Sequence, residues 1–135
     1  MKIKAIREIA IPLRSSIRNS AFDFSEMTTS VVAVITDVVR HGRPVVGYAF
    51  NSTGRYACGA QMRERFIPRI LNADPSALLN PEGTNFSAPA ILACMMQRET
   101  PGGHTERPIS IDPTQLPVWA AIAQTADNPF YDHTA

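Results

Sequence analysis

The chain has 135 residues and a mass of 14.8 kDa, which is the size of one ordinary domain. Hydrophobic residues make up 44% and charged residues 19% of the chain, so its composition excludes a disordered or coiled-coil protein. Thirteen Lys and Arg residues against twelve Asp and Glu residues leave a net charge of +1, and we therefore expect neither nucleic acid nor a membrane as a partner.

Residues 1–50 predict three β-strands. The first is predicted over residues 2–13, because Ile9, Ile11 and Leu13 recur with the period of a half-buried strand. Residues 28–38 are rich in β-branched side chains, and residues 45–50 form a third strand after a turn over 40–44 that contains glycine and proline. Short connections favour antiparallel neighbours, because parallel strands need a long crossover. The sequence therefore predicts an antiparallel meander.

After the third strand, the spacing of apolar side chains changes to that of helices. A first helix is predicted over residues 57–71, with a kink or break at Pro68, and a short one over 75–79 after an Asp-Pro start. A third helix begins at residue 87 and is stopped by a Pro-Gly-Gly sequence. A last helix is predicted between an Asp-Pro and an Asn-Pro pair, over residues 112–128.

A run of strands followed by a run of helices predicts the α+β class. We expect one domain over residues 1–135, with a three-stranded antiparallel meander over residues 1–50 and a small helical bundle over residues 56–130. No apolar run is long enough to span a bilayer, and the N-terminal residues do not read as a signal peptide. Cys58 and Cys94 lack metal-ligand spacing, so we expect reduced thiols in a cytoplasmic protein.

No grouping of side chains in the sequence predicts an independent active site. The glycines do not form a phosphate-binding loop, no serine lies in a nucleophile motif, and the acidic residues do not form a metal motif. The three histidines, His41, His104 and His133, are scattered. His104 lies close to Glu106, which fits either a loop His–Glu pair or a loop histidine that bonds to the backbone.

Two connections are candidates for binding a ligand. Residues 15–27 are a long link between two strands, where hairpins usually use two to five residues. This link contains Arg18, Phe22 and Phe24, which fit either a lid over a small anionic ligand or a loop whose aromatic rings pack on its own helices. Residues 51–56 combine small polar side chains with Gly, Arg and Tyr, which suits a polar pocket or an ordinary strand-to-helix turn.

Several segments of the chain share one recognisable pattern. They are residues 16–19 with 23–24, residues 27–34, 36–40, 45–56, 63–66 and 101–104. In these segments the chain resembles the N-terminal capping domain of the mandelate racemase/muconate lactonizing enzyme-like branch of the enolase superfamily, and within it the D-tartrate dehydratases. The resemblance is dense up to about residue 108 and thins after it, where residues 118–121 are similar to the last helix of the capping domain.

The resemblance implies a division of labour between two domains. In this family a β/α barrel follows the capping domain and carries the Mg²⁺ ligands and the groups that move protons, and the reaction removes water from a hydroxy-acid. The capping domain closes over the site, excludes solvent and contacts the far end of the substrate. The resemblance implies the following substrate contacts in this chain: Arg18, Asn19, Phe22, Asn51, Thr53, Tyr56 and Thr100.

The chain departs from the family pattern in informative places. These 135 residues do not include the barrel or its Mg²⁺ ligands, so we expect no cofactor in this chain, only in the complete family enzyme. Thr100 stands where the subgroup usually has a lysine, and Ala120 follows Trp119 where the family usually has an aspartate. We therefore expect the capping domain of a Mg²⁺-dependent, D-tartrate-like dehydratase, without activity of its own.

Two expectations about binding partners follow. Helices that would pack on a barrel expose apolar surface, which favours self-association or binding to a separate barrel chain. The alternative function is a standalone binding module for small hydroxy-acids, with Arg18, Asn51 and Arg55 as the contacts to the anion. An independent enzyme of unknown type is the least supported interpretation, because no nucleophile–base pair is recognisable in the sequence.

Overall fold

Three antiparallel strands form one sheet in the computed structural model, which describes residues 1–50 and 58–98. The strands are β1 (Ile3–Pro12), β2 (Thr28–Arg40) and β3 (Arg43–Phe50), and they lie in the order β1-β2-β3. Each neighbouring pair is antiparallel, so the predicted meander is confirmed. Together with the helices that follow, the sheet gives the α+β class that the sequence predicted.

The turn between β2 and β3 is shorter than predicted. It consists of His41 and Gly42, with φ angles of +50° and +76°. Two consecutive residues with positive φ are the geometry of a type I′ hairpin turn, whose twist matches that of the flanking strands. The predicted turn over residues 40–44 is therefore wrong in length, and Pro44 lies within β3. A proline is tolerated there because β3 is at the edge of the sheet.

One helical segment with a π-helical centre replaces the predicted helix over residues 57–71. It comprises α1 (Cys58–Gln61), a π-helical stretch (Met62–Phe66) and α2 (Ile67–Asn72). Within it, the Ile67 N–H donates to the carbonyl oxygen of Met62, five residues earlier. Pro68 has no N–H, and its ring would crowd the carbonyl four residues before it. The wider π turn therefore relieves the conflict that the sequence predicted at this proline.

Two further helical elements begin at side-chain caps. The carboxylate of Asp74 accepts a hydrogen bond from the Ser76 N–H at 2.9 Å and caps the 3₁₀ helix Pro75–Leu78. Ser87 caps α3 (Ala88–Met95) by accepting from the Ala90 N–H at 3.3 Å. This helix ends earlier than the predicted Pro-Gly-Gly stop, because a tight turn follows Met95 and Arg98 has a φ of +58°.

Arg69 joins α2 to the end of α3. Its guanidinium Nη1 donates to the carbonyl oxygen of Met95 at 2.5 Å, and its own carbonyl oxygen accepts from the Cys94 thiol at 3.5 Å. Cys94 is a buried free thiol, and burial raises the pKa of this group although the Arg69 charge lowers it. The side chain of Cys58 lies outside the described part, and the predicted reduced state of the two thiols stays a prediction.

The core lies between one face of the sheet and the helices. Val32 and Val34 of β2 have no exposed surface, and Phe66 at the end of the π-helical stretch has none either. The remaining buried members of the core cluster are Ile6, Met62, Ile67, Ile70, Leu78, Phe86, Ile91, Cys94 and Met95. Among the residues that the structure describes, no helix is long and apolar enough to cross a membrane. The predicted last helix over residues 112–128 lies outside those residues.

A charged pair links the sheet to the start of the helical segment. The Glu8 side chain has no exposed surface, accepts a hydrogen bond from Ser30 Oγ at 2.9 Å, and forms an ion pair with the Arg63 guanidinium. Gly59 lies against this pair, because a Cβ added to it would stand 2.8 Å from Arg63 Nη1 and 2.9 Å from Glu8 Oε1. The absence of a side chain at Gly59 therefore allows the helix to approach β1 here.

Candidate functional site

The link between β1 and β2 is the candidate site that the structure describes. It is closed at its base by the Leu13 N–H, which donates to the carbonyl oxygen of Met27 at 2.9 Å and continues the pairing of the two strands. The link leaves the sheet at the end where β3 also finishes. This follows from the register, because Phe50, the last residue of β3, lies opposite Val31 of β2, and Val31 lies opposite Ile9 near the end of β1. The meander therefore places the link between β1 and β2 and the last residue of β3 at one end of the sheet.

The inner part of the link is a small hairpin of its own. Arg18 and Asp23 form an isolated antiparallel bridge, and the Phe24 N–H donates to the carbonyl oxygen of Ile17 at 3.1 Å. Asn19 Oδ1 closes the tip by accepting from the N–H groups of Ala21 and Phe22, at 2.8 and 2.9 Å. Because bridged residues point to the same side, the backbone places the side chains of Arg18 and Asp23 together.

Asp23 also organises the end of this hairpin. Its carboxylate accepts from the Ser25 N–H at 2.9 Å and from Ser25 Oγ at 2.5 Å, and thereby caps the short 3₁₀ helix Phe24–Glu26. The hydrogen bond from the Ser25 side chain, followed by the one from its backbone, lowers the pKa of Asp23 below the usual value for aspartate. Asp23 is therefore an anion at neutral pH.

Replacing Ser25 with alanine is expected to raise the pKa of Asp23 toward the usual value for aspartate, because the strongest donor to the carboxylate is removed. With serine present, the bonded carboxylate stabilises the folded chain at neutral pH, and this contribution is lost as the pH falls through the lowered pKa. A carbon-detected NMR titration of the Asp23 carboxyl group measures both forms. Ser20→Ala is the matched control and is expected to leave this pKa unchanged; equal values in Ser25→Ala and the parent would contradict the assignment.

A polar depression lies beside this hairpin. Its volume is about 220 Å³, and it is lined by Ser15, Ser16, Arg18, Asp23 and Ser25. These residues combine one guanidinium, one carboxylate and three hydroxyl groups. Among residues 1–50 and 58–98, none forms an ion pair with Arg18. The depression can therefore contact both a carboxylate and hydroxyl groups of a small ligand.

The structure places three of the predicted contact residues in this link. Arg18 lines the depression, Asn19 uses its amide oxygen to close the tip, and Phe22 is 54% exposed. Neither Phe22 nor Phe24 belongs to the core cluster. The other predicted contacts lie outside the described residues: Asn51, Thr53, Arg55, Tyr56 and Thr100. The chain leaves β3 after Phe50, at the same end of the sheet as the depression.

Sequence reasoning did not single out the three serines of the depression. Ser15, Ser16 and Ser25 are common loop residues, and their spacing carries no motif. The only available signal was their concentration around Arg18 in an unusually long link. What brings them together is the backbone bridge between Arg18 and Asp23, which local sequence patterns do not specify.

A Mg²⁺ ion does not fit the described part of the chain. Such a site needs several oxygen ligands, with carboxylates among them. Among residues 1–50 and 58–98, no group of three or more His, Cys, Asp or Glu side chains is placed to hold a metal ion. Asp23 is the one carboxylate among the described residues of the depression, and it shares this depression with the positive charge of Arg18. The described lining of the depression therefore favours a polar organic ligand over a divalent metal ion.

Comparison with known proteins supports the fold. No protein-family model matches the chain. Its structure is similar to the crystal structure of a mandelate racemase/muconate lactonizing enzyme-like protein from Rubrobacter xylanophilus, with a TM-score of 0.55 and 15% sequence identity. The match covers 93% of this chain and 31% of that protein's chain. This chain therefore has a fold that forms about a third of a larger protein, in agreement with the fold expected from the sequence.

Proposed function

We propose that this chain is the substrate-capping domain of a D-tartrate-like acid-sugar dehydratase of the enolase superfamily. The observation that carries the proposal is the depression around Arg18, at the end of the sheet where both β1 and β3 finish. The similarity in fold to 31% of a mandelate racemase/muconate lactonizing enzyme-like protein supports it. In this proposal a β/α-barrel domain or chain is the partner, and the chain alone has no activity.

The side chains of the depression suit a small hydroxy-acid. The Arg18 guanidinium can donate two parallel hydrogen bonds to a carboxylate. At neutral pH such a charged pair of hydrogen bonds is stronger than the bonds that the serine hydroxyl groups can form. Asp23 can accept from a substrate hydroxyl, because the bonds from Ser25 use only its Oδ1. The serines offer further donors and acceptors. A ligand with a carboxylate next to hydroxyl groups matches this set better than a simple acid or a simple sugar does.

The capping role also fits what the described part of the chain offers. Its described residues offer a recognition surface without a nucleophile–base pair or a metal site, and the resemblance assigns both Mg²⁺ and proton transfer to the barrel. The chain would then bind the far end of the substrate, exclude water from the barrel's site and set the choice of acid. We place this enzyme in the cytoplasm, where a free thiol such as Cys94 persists.

A domain exchange tests the proposal. The capping domain of a working D-tartrate dehydratase is replaced by this chain, and loss of water from D-tartrate is measured for the hybrid and for this chain alone. We expect turnover by the hybrid and none by the chain alone. In the hybrid, Arg18→Gln is expected to lower kcat/KM about tenfold or more, because a charged hydrogen bond to the substrate is lost.

The control for this exchange is Arg14→Gln, which removes an exposed arginine of the same link that does not line the depression. It is expected to leave kcat/KM within about twofold, since the charge it removes makes no direct contact with the substrate. Turnover by the isolated chain would contradict the capping role. A folded, active hybrid in which Arg18→Gln and Arg14→Gln behave alike would contradict the role of Arg18.

A standalone binding module for small hydroxy-acids is the second candidate. It is favoured by one observation: a single link between two strands supplies all of the described residues that line the depression. Calorimetry with D-tartrate separates the two functions. A binding module is expected to bind the acid saturably without any barrel, whereas a capping domain is expected to bind it weakly until the barrel completes the site.

A further inference from the structure

The face of the sheet that points away from the core is apolar and uncovered in the described part of the chain. We call it the outer face and define it by Arg7, Ile9, Val31, Ala33, Tyr48 and Phe50. These residues alternate with Glu8, Val32 and Ala49, which point toward the helices. Ile9, Tyr48 and Phe50 are 60%, 65% and 62% exposed. By contrast, the helices of the described part expose one large apolar side chain, Leu71.

The strand register arranges the outer face in two rows. Arg7 lies opposite Ala33, which lies opposite Tyr48; in the next row Ile9 lies opposite Val31, which lies opposite Phe50. Small side chains therefore occupy the central strand, and large ones occupy both edges. Arg7 is the only charged group in the two rows.

The area of this face approaches what a stable dimer needs. Tyr48, Phe50 and Ile9, with the neighbouring Ile11, expose apolar surface on the order of 500 Å², since a large aromatic side chain alone carries about 150–250 Å². A typical protein interface buries about 800 Å² on each partner, and the half-buried residues of β2 and the stem of Arg7 add to the total. The largest apolar patch of a typical monomer measures about 300–600 Å² and is often functional, and the outer face falls within this range.

We propose that the outer face binds the outer face of a second copy, so that two chains form a dimer by packing sheet against sheet. The two-fold axis lies between the sheets and runs along β2. This operation places β1 of one copy over β3 of the other, so that Arg7 faces the Tyr48 ring and Ile9 faces Phe50. Arg7, the one cation in the two rows of each copy, then meets an aromatic face and is attracted by the ring electrons.

The position of Arg7 selects this arrangement over the other two-fold pairing. An axis across the strands would place β1 over β1, and both Arg7 guanidinium groups would lie on one edge of the interface without an aromatic ring opposite them. With the axis along β2, each row of one copy packs against the same row of the other copy, and its β1 residue meets the β3 residue of the partner. An interface between identical copies requires such a self-complementary surface. The strands of the two copies then run in the same direction, so both depressions open at the same end of the dimer.

Sedimentation of the full chain tests the proposal. At about 100 µM we expect a dimer of twice 14.8 kDa. Tyr48→Lys places a charge opposite Arg7 and is expected to raise the dimer dissociation constant at least tenfold. Tyr48→Phe keeps the ring and is expected to change it less than threefold. Leu71→Lys, which adds a lysine at the exposed apolar position of the helices, is the matched control and is expected to leave the dimer intact.

Three results would overturn the proposal. One is a wild-type chain that is monomeric at about 100 µM, which would mean that another segment or another protein covers the outer face. Another is dissociation by Leu71→Lys with no effect of Tyr48→Lys. The last comes from NMR on a mixture of labelled and unlabelled wild-type chains, which does not depend on any variant folding: contacts between Ile9 methyl groups and the Phe50 ring are expected between copies, and a dimer without them would contradict this arrangement.

Discussion

Replacing Phe66 with alanine is expected to lower the free energy of unfolding by about 4 kcal/mol, the largest single effect that we anticipate. Phe66 has no exposed surface and lies at the end of the π-helical stretch, among the core residues under the sheet. Its loss removes the transfer energy of a large ring and leaves a cavity, because the strands and helices around it cannot all move inward. Urea unfolding followed by circular dichroism measures the change.

Phe22→Ala is the matched control for this substitution. It removes the same ring from the link between β1 and β2, where the side chain is 54% exposed. We expect the free energy of unfolding to change by less than about 0.5 kcal/mol, as for exposed positions generally. Equal losses for Phe22→Ala and Phe66→Ala would mean that the core is not where the structure places it.

Arg63→Ala is expected to destabilise the chain by about 2–3 kcal/mol. Its partner Glu8 has no exposed surface and would be left with the Ser30 hydroxyl as its remaining neutral donor. Removing one member of a buried pair costs about 3–5 kcal/mol, and we expect less here because the Arg63 side chain is 57% exposed and water can partly replace it. Urea unfolding is again the measurement, and Glu64→Ala, at an exposed neighbouring position, is the control.

Gly59→Ala gives a second test of the same contact. Alanine favours a helix over glycine by about 1 kcal/mol, so a free helical position would become more stable. Here the added Cβ would stand 2.8 Å from Arg63 Nη1 and 2.9 Å from Glu8 Oε1, and we expect a net loss of stability instead. A stabilised Gly59→Ala variant, or an Arg63→Ala variant as stable as Glu64→Ala, would show that the pair does not hold the helix to β1.

The sequence predicted the strands well because alternation and β-branching are local signals. The buried residues Val32 and Val34 alternate with side chains of the outer face, as a period of two requires. The turn was predicted too long because Pro44 suggested a break, whereas an edge strand accepts a proline. The π-helical stretch before Pro68 could only be predicted as an irregularity, since its form depends on how the helix packs.

The candidate site could be predicted only in part. Arg18 stood out because a cation in a long link suggests an anion site, and the structure places it in the depression. The proximity of Arg18 and Asp23 depends on the backbone bridge between these two residues. The serines become candidate contacts only because that bridge brings them to the same depression. The pair of Glu8 and Arg63 was not predicted either, since 55 positions separate the two residues and only the fold brings them together.

We propose that Arg18 makes the depression a site for hydroxy-acids, and the decisive experiment is an NMR titration of the chain with D-tartrate at millimolar concentration. We predict chemical-shift changes confined to residues 15–25, including the Arg18 guanidinium signal, that are lost in Arg18→Gln and retained in Arg14→Gln. Unchanged binding of D-tartrate by the Arg18→Gln chain, or shifts confined to other parts of the molecule, would contradict the claim.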